Sequence, residues 1–442
     1  MYKGWVYNMN EYWHSVTLDK ELCKGCTNCL KHCPTKAIRI QNGKAKILKE
    51  RCIDCGECIR VCPYHAKKAI TDYFDMLSKF KYNIALVAPT FLSQFSTVDD
   101  INLILTTIKK MGFDDVYEVS RGAEKVTEKT RELLKEGELK KPVISSACPA
   151  VARLISINFP NLIENIIPLK SPMEVAAEDA RKEAVTKTGL KENEIGVIFI
   201  SPCAAKVTAV KNPENVIKSN VDGIISIKDL YKKMTPLITK IKKEEIENLS
   251  KSGREGILWA LSGGEASASG AKNHVCVDGI HNVIKVLEAM EDDKLRDIEY
   301  VEALSCTGGC VGGPLTVENE FVANSRLKRI CEDISIKNAE CSDKKIIWDK
   351  PISHKSVMSL SENVLKAMAM KMEIEEIYER LPKLDCGSCG SPGCKDLAED
   401  IVRGYATEND CIFKLKERIN NLAKEMLELD GKYEMTKKNE WE

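Results

Sequence analysis

Eight cysteines within the first 63 residues constrain this chain more than any other feature. They form a duplicated run, Cys23-x2-Cys26-x2-Cys29-x3-Cys33-Pro34 and then Cys52-x2-Cys55-x2-Cys58-x3-Cys62-Pro63. Disulfides do not account for it. Most of the 19 cysteines fall at two-residue spacings, and Met1 to Lys20 hold no apolar signal region and no twin arginine, so disulfides are not expected. A four-cysteine zinc site is the other ordinary use of paired thiols, and the ligand pattern suits it less well than iron and sulfide.

The run resembles that of bacterial-type ferredoxins, which bind two [4Fe–4S] clusters. In such a pair the fourth cysteine of each half serves the other cluster. The resemblance therefore assigns Cys23, Cys26, Cys29 and Cys62 to one cluster, and Cys52, Cys55, Cys58 and Cys33 to the other. Asn42-Gly43 between the short runs Ala37–Gln41 and Lys44–Ile47 is a hairpin signal. Residues 1–80 read as a ferredoxin-like α+β domain that carries single electrons. Trp5, Tyr7, Tyr12 and Trp13 are expected to pack against it, and His14 to be a packing or surface residue.

Farther along, Tyr300–Leu304 runs into Ser305-Cys306-Thr307-Gly308-Gly309-Cys310-Val311-Gly312-Gly313-Pro314. Two thiols in a loop with four glycines suit close approach to a bulky, soft-metal group. Two thiols do not complete a four-ligand set. Two other apolar runs also end at a cysteine: Pro142–Ala147 before Cys148-Pro149, and Ile195–Ile200 before Ser201-Pro202-Cys203-Ala204-Ala205-Lys206. Ligands of open α/β sheets bind outside the carboxyl ends of strands. Three converging strand ends would supply Cys148, Cys203, Cys306 and Cys310.

These segments, with Lys170-Ser171-Pro172 between the first two, resemble the signatures of the iron-only [FeFe] hydrogenase catalytic domain over roughly residues 83–340. That resemblance implies an H-cluster: a [4Fe–4S] core on Cys148, Cys203, Cys306 and Cys310, bridged through Cys310 to a two-iron subsite with CO, CN and azadithiolate. It implies H2 and protons as substrates, a set of maturation proteins, and Lys206 as a donor to a cyanide. The departures are as informative. The proton-shuttle cysteine of productive members is Ala147 here. The methionine before Pro-Cys is Ser201, the methionine of the third segment is Leu304, and the glutamine after Lys-Ser-Pro is Met173. Glu302 is retained. The usual relay carboxylates are not found in Arg121–Leu134. Members lacking the shuttle cysteine are proposed to sense H2, and the chain resembles those: a low-turnover sensory or regulatory hydrogenase.

At 442 residues there is room for about three domains. Residues 81–345 alternate strands (Tyr82–Val87, Val116–Val119) with helices (Ile101–Met111, Val126–Leu134), an α/β pattern. Tyr64–Lys81 is expected to be a helix and a boundary, and Lys242–Glu247 a solvated helix face. Leu261–Gly270, rich in small residues, lacks a phosphate-loop ending; the hydrogenase resemblance implies that it packs near the active cluster. Residues 346–442 form a linker, a helix over Ser359–Leu381, and the spacing Cys386-x2-Cys389-x4-Cys394-x16-Cys411. This last pattern resembles a small helical [4Fe–4S] module, a third accessory cluster, with zinc as the alternative. The tail beyond Cys411 reads as an amphipathic, charged helix, a solvated face or a place for a partner or a second copy. Cys276, Cys331 and Cys341 are left over, expected to be buried or inert.

Net charge is zero, from 66 basic and 66 acidic residues, which gives no reason to expect a nucleic-acid partner. No apolar run reaches the ~18 residues that span a bilayer. The expectation is a cytoplasmic protein passing electrons to a ferredoxin-like redox partner or signalling to another protein, with a homodimer possible. The rival readings are an electron-transfer protein or an assembly factor without the two-iron subsite. No kinase, phosphatase or DNA-reading motif is visible.

Overall fold

The computed structural model describes residues 13–336 and 346–439. The chain divides into two compact units. The larger takes the residues up to Thr17, Lys49–Arg60 and Lys67–Val357; the smaller takes Leu18–Leu48, Val61–Ala66 and the chain from Met358 on.

The larger unit is α/β. Tyr82–Val87 pairs in parallel with Asp115–Glu118 on one side and with Ile195–Ser201 on the other, and Ile195–Ser201 also pairs with Gly223–Ser226. The two central strands are apolar apart from Tyr82, Asn83 and Ser201 at their ends, because helices cover both faces. Ile84, Leu86, Val197 and Phe199 meet the alanine-rich side of the helix Pro172–Thr188. Ala85, Val87, Ile198 and Ile200 meet the helices Ile101–Lys109 and Ile227–Ile238. A second parallel sheet sets Tyr300–Leu304 between His274–Asp278 and Val143–Ile144. The three cysteine-bearing strand ends therefore come from two sheets: Cys148 and Cys306 follow strands of one, and Cys203 follows a strand of the other.

In the smaller unit, Ile38–Gln41 pairs antiparallel with Lys44–Ile47. Asn42 and Gly43 turn the chain at φ 50° and 68°, the positive-φ pair a two-residue hairpin requires. The C-terminal part is helical. Val364–Arg380 and Cys394–Val402 pack through Ile374, Ile377, Leu397 and Ala398, around Cys394 and Cys411.

Several expected edges move. Tyr64–Lys81 holds a strand, Lys67–Ala69, and a 3-10 turn, Phe74–Lys79, instead of a helix. Pairing with Val16–Leu18 and the bond from the Asp72 N–H to the Ile224 carbonyl hold that stretch extended, so tertiary partners outweigh local preference. The strand expected to reach Val119 stops at Glu118, and the helix expected over Val126–Leu134 runs Val119–Glu136, closed by Gly137 at φ 74°. Lys242–Glu247 holds a single exposed turn, Lys243–Glu245. The helix expected from Ser359 starts at Val364, capped by Asn363. Trp13 packs on the larger unit's core beside Ala69 and Tyr82. Trp5, Tyr7, Tyr12 and Cys341 lie outside the described residues. Cys276 is exposed, because its strand lies at the edge of its sheet; Cys331 is buried as expected.

Candidate functional site

Each central cysteine sits where a regular element begins or ends. Cys148 caps the helix Pro149–Asn158 and Cys203 caps Ala204–Lys211. Cys306 follows the strand Tyr300–Leu304, and Cys310 opens the short turn Cys310–Gly312. The glycines between them are forced. Gly308 and Gly309 take φ 75° and 90°, and a Cβ on Gly312 would stand 2.0 Å from the Thr307 carbonyl. A Cβ on Gly313 would stand 2.3 Å from the carbonyl of Pro202, so the loop lies directly on the Cys203 segment.

The fold brings the four thiols into one electrostatic group. Burial, and then the charge of Cys306, push the Cys148 thiol above its usual range. Burial raises Cys203 strongly, with Cys306 and Cys148 adding. Burial pushes Cys310 up to about 11, against the pull of Lys206. Lys206 answers them. Burial alone would lower its ammonium, but Cys310, Cys203, Cys148 and Cys306 together hold it above its ordinary value. Such a set, one buried and three half-buried cysteines with one ammonium, has an excess of negative charge when ionised and calls for a cationic core.

Sulfurs around one tetrahedral zinc, with bonds of about 2.3 Å, lie roughly 3.8 Å apart. Among the described residues, the one group of three ligating atoms within 4.8 Å is His14, Cys52 and Asp54, so no three of the central sulfurs stand at the spacing of a single zinc.

The residues at the positions that depart from the family pattern have local tasks. Ser201 is buried; its hydroxyl accepts from the Cys203 N–H at 3.1 Å and donates to the Cys203 carbonyl at 3.2 Å. Ala147 donates its N–H to the Ser145 hydroxyl at 3.1 Å. Met173 and Leu304 are core residues.

Glu302 leads to a feature missed in the sequence. Its carboxylate accepts from the N–H groups of Gly263 (2.8 Å) and Ala266 (2.7 Å), at the start of the helix Gly264–Ser269. That helix lies within the small-residue stretch and carries Glu265. The Glu265 carboxyl is buried, takes a 2.6 Å bond from the Tyr300 hydroxyl, and lies 2.8 Å from the Ser145 hydroxyl through either oxygen. Burial, and then the charge of Glu302, push it up to about 8. Burial raises Glu302 as well, against its backbone donors. Cys276 pairs with Glu302 in register and is exposed, so the acid pair stands between the surface and Ser145, three residues before Cys148. A lone glutamate among glycines and serines was the available signal.

The second half of the repeat is tied to all three ligand segments. Arg153, on the helix after Cys148, donates to the carbonyls of Cys52 (3.0 Å) and Glu50 (2.9 Å). The buried Asp54 carboxylate accepts from Thr208, on the helix after Cys203, at 2.8 Å. Its other oxygen accepts from the Val16 N–H at 2.9 Å and the Ser15 hydroxyl at 3.2 Å. His14 is buried beside it, 3.6 Å away. Arg60 donates to the Gly312 carbonyl at 3.0 Å, and the charges of Cys306 and Glu57 hold its guanidinium above its usual range despite burial. A Cβ on Gly56 would meet the Pro314 ring at 2.4 Å.

Cys23, Cys26, Cys29 and Cys62 all belong to the smaller unit, and Cys26 alone of them is exposed. The Ala45 N–H points at the Cys23 sulfur at 3.5 Å. Cys33 receives the Ala37 N–H at 3.2 Å. Cys52, Cys55 and Cys58 lie in the larger unit. In the C-terminal module, burial raises the Cys389 thiol, with Cys386 and Cys411 adding their charge; the Ser388 hydroxyl and N–H lower Cys386. The Cys394 N–H donates to Asp385 at 2.6 Å.

The same regions match known families. The iron-only hydrogenase large subunit, C-terminal domain, matches residues 81–274 and 265–314. A 4Fe-4S dicluster domain matches residues 15–63, and an Fe-S cluster family matches residues 381–413. Iron hydrogenase 1 of Clostridium pasteurianum is 23% identical over 264 residues, covering 49% of this chain and 45% of that protein, so the chain spans less than half the relative's length. The periplasmic [Fe] hydrogenase large subunit of Nitratidesulfovibrio vulgaris is 23% identical over 350 residues, 73% of this chain and 80% of that one. A solved [FeFe]-hydrogenase superimposes with a TM-score of 0.50 at 13% identity, over 63% of this chain and 98% of its own, which shows a shared fold. No helix among the described residues is long and apolar enough to cross a membrane.

Proposed function

Because the chain belongs to the family of iron-only hydrogenase large subunits, we propose that it activates H2 at low turnover, as a sensory or regulatory hydrogenase. One observation carries the reading: four cysteines far apart in sequence gather around the Lys206 ammonium and together hold it above its ordinary value. When bound, the H-cluster supplies the chemistry, the cleavage of H2 into protons and electrons or its reverse. The chain's own part is to hold, orient and connect. Cys148, Cys203, Cys306 and Cys310 would hold that group as thiolates, Cys310 being the one that the family resemblance assigns to both of its parts. Lys206, with three donors and no acceptor, would donate to its cyanide.

Protons take another way than in productive enzymes. At the shuttle position Ala147 has no titratable group, and a relay needs groups within hydrogen-bond reach or one water away. Glu265, held near 8, carries a proton at neutral pH and passes it through Ser145 on the site side. Glu302 exchanges it toward the surface beside Cys276. The last gap, at Ala147, has no side-chain donor to close it, which makes turnover slow. Electrons leave through the Cys52–Cys58 loop, whose ties at Arg153, Asp54 and Arg60 reach all three ligand segments.

The test is an infrared spectrum of the matured protein under H2, with H2 oxidation and evolution rates from the same sample. Carbonyl and cyanide bands that respond to H2, with rates far below those of productive enzymes, are expected. Ala147→Cys should raise the rate and Glu265→Gln lower it. Rates equal to a productive enzyme would sink the sensory half. Cluster iron without carbonyl or cyanide bands would return the chain to the assembly or electron-transfer reading.

A further inference from the structure

The helix Ile412–Asn439 begins directly after Cys411, and every residue from Leu415 to Leu429 is exposed. Helices in proteins are held mainly by burying an apolar face, and a lone helix in water is marginal. This one carries such a face without covering it. Ile412, Leu415, Ile419, Leu422, Met426 and Leu429 alternate at spacings of three and four, and each is 41–70% exposed. That is the 3.5-residue repeat of a two-helix seam, narrower than the stripe of a helix lying on a globular core. Phe413 and Leu427 are the large apolar residues off the seam between 412 and 429. In heptad positions, Ile412, Ile419 and Met426 are a, and Leu415, Leu422 and Leu429 are d.

We propose that this helix is a homodimerisation element, pairing antiparallel with the same helix of a second copy. Charge and register choose that occupant. Stacking Ile412 on Leu429, Leu415 on Met426 and Ile419 on Leu422 of the second copy uses all six seam residues. The same register sets Arg418, at a g position, against Glu425 at the opposing g position, and the two-fold axis repeats the pair. A parallel pair in register would set Arg418 beside the methyl of Ala423. The element starts at a cysteine of the C-terminal module, so pairing would couple two copies at that module. The inference stands apart from the hydrogenase reading, since it uses no residue of the central site.

The test is light scattering on the size-fractionated full-length protein, with its [4Fe–4S] clusters loaded, at micromolar concentration. The expected mass is twice 49.4 kDa. Leu422→Glu should give a monomer with unchanged cluster absorbance. Arg418→Glu should weaken the dimer at least severalfold, and Arg418→Glu with Glu425→Arg should restore it, with helical circular dichroism equal across the charge variants. A monomeric wild type, or a dimer that survives Leu422→Glu, overturns the proposal. A double reversal as weak as the single one overturns the antiparallel register.

Discussion

Gly25 and Asp54 hold the same place in the two halves of the cysteine repeat, just before the second cysteine, and both take positive φ, 66° and 52°. Lys36 and His65 repeat the correspondence after each Cys-Pro, at 52° and 51°. The N–H that follows points at a cysteine sulfur in both, Ala37 to Cys33 at 3.2 Å and Ala66 to Cys62 at 3.3 Å. The backbone is copied, and the side chains differ. At Gly25 a Cβ would stand 2.6 Å from the Gly43 carbonyl, so that loop closes on its own hairpin. Asp54 instead spends its carboxylate on Ser15, Val16 and Thr208.

The third cysteine of each half is followed two residues on by a base. Arg60 acts on Cys306 of the central site. Lys31 acts on Cys386 of the C-terminal module, after the larger effect of Ser388. The first half has a further tie of its own: the buried Arg39 guanidinium grips Asp400, through Nε at 2.5 Å and Nη2 at 3.1 Å. The Gly390 carbonyl accepts from the Ile40 N–H at 2.8 Å. One ligand loop, duplicated, thus serves two different neighbours, and the change of neighbour is written in a few side chains around an unchanged backbone.

The comparison can be broken most sharply at Asp54. Asp54→Ala strands the Val16 N–H and the Thr208 hydroxyl in the interior, while the Ser15 hydroxyl keeps the Ala204 carbonyl at 2.8 Å, and should cost about 2–4 kcal/mol, read as a lower urea midpoint for cluster-loaded protein. A loss below about 0.5 kcal/mol, the size of an ordinary surface change, would show that the carboxylate does not clamp the loop. Asp400→Asn tests the other half. It leaves Arg39 buried against a neutral amide and should cost roughly 2–3 kcal/mol. Its mark should be earlier loss of the C-terminal module's absorbance, with the central site intact.

Smaller effects separate the two bases. Arg60→Gln removes a positive charge beside Cys306 and should make the central cluster harder to reduce, by on the order of 50–100 mV in an EPR-monitored titration. Lys31→Gln should shift the C-terminal module by less, and the central cluster not at all, since Lys31 is the more weakly placed base. Equal shifts at both sites from either variant would erase the distinction.

Glu265→Gln serves as the control, since it lies in the larger unit and touches neither half of the repeat. Glu265 is raised in the fold to about 8 from an ordinary carboxyl value of 4.5. Its contribution to stability is therefore complete below pH 4.5 and lost as the pH climbs through 8. The variant should lose that decline, seen as a flatter pH profile of the unfolding midpoint, while the repeat's cluster potentials stay where they were.

What the sequence determined alone was the spacing of the cysteines and the backbone that presents them. Cysteine spacing, Cys-Pro steps and Asn42-Gly43 are local signals, and covalent chemistry and allowed φ settle them over a few residues. The strand-to-cysteine pattern likewise named Cys148, Cys203, Cys306 and Cys310 before any fold was in hand. Tertiary structure decided what those loops face. That Cys203 arrives from a different sheet than Cys148 and Cys306 follows from strand pairing across more than a hundred residues. Asp54 finds Thr208 and Arg60 finds Cys306 only through such long-range packing. Glu265 is raised above the ordinary carboxyl range only because the fold buries it against Glu302, since a carboxyl's charge is set by its surroundings and not by its neighbours in sequence.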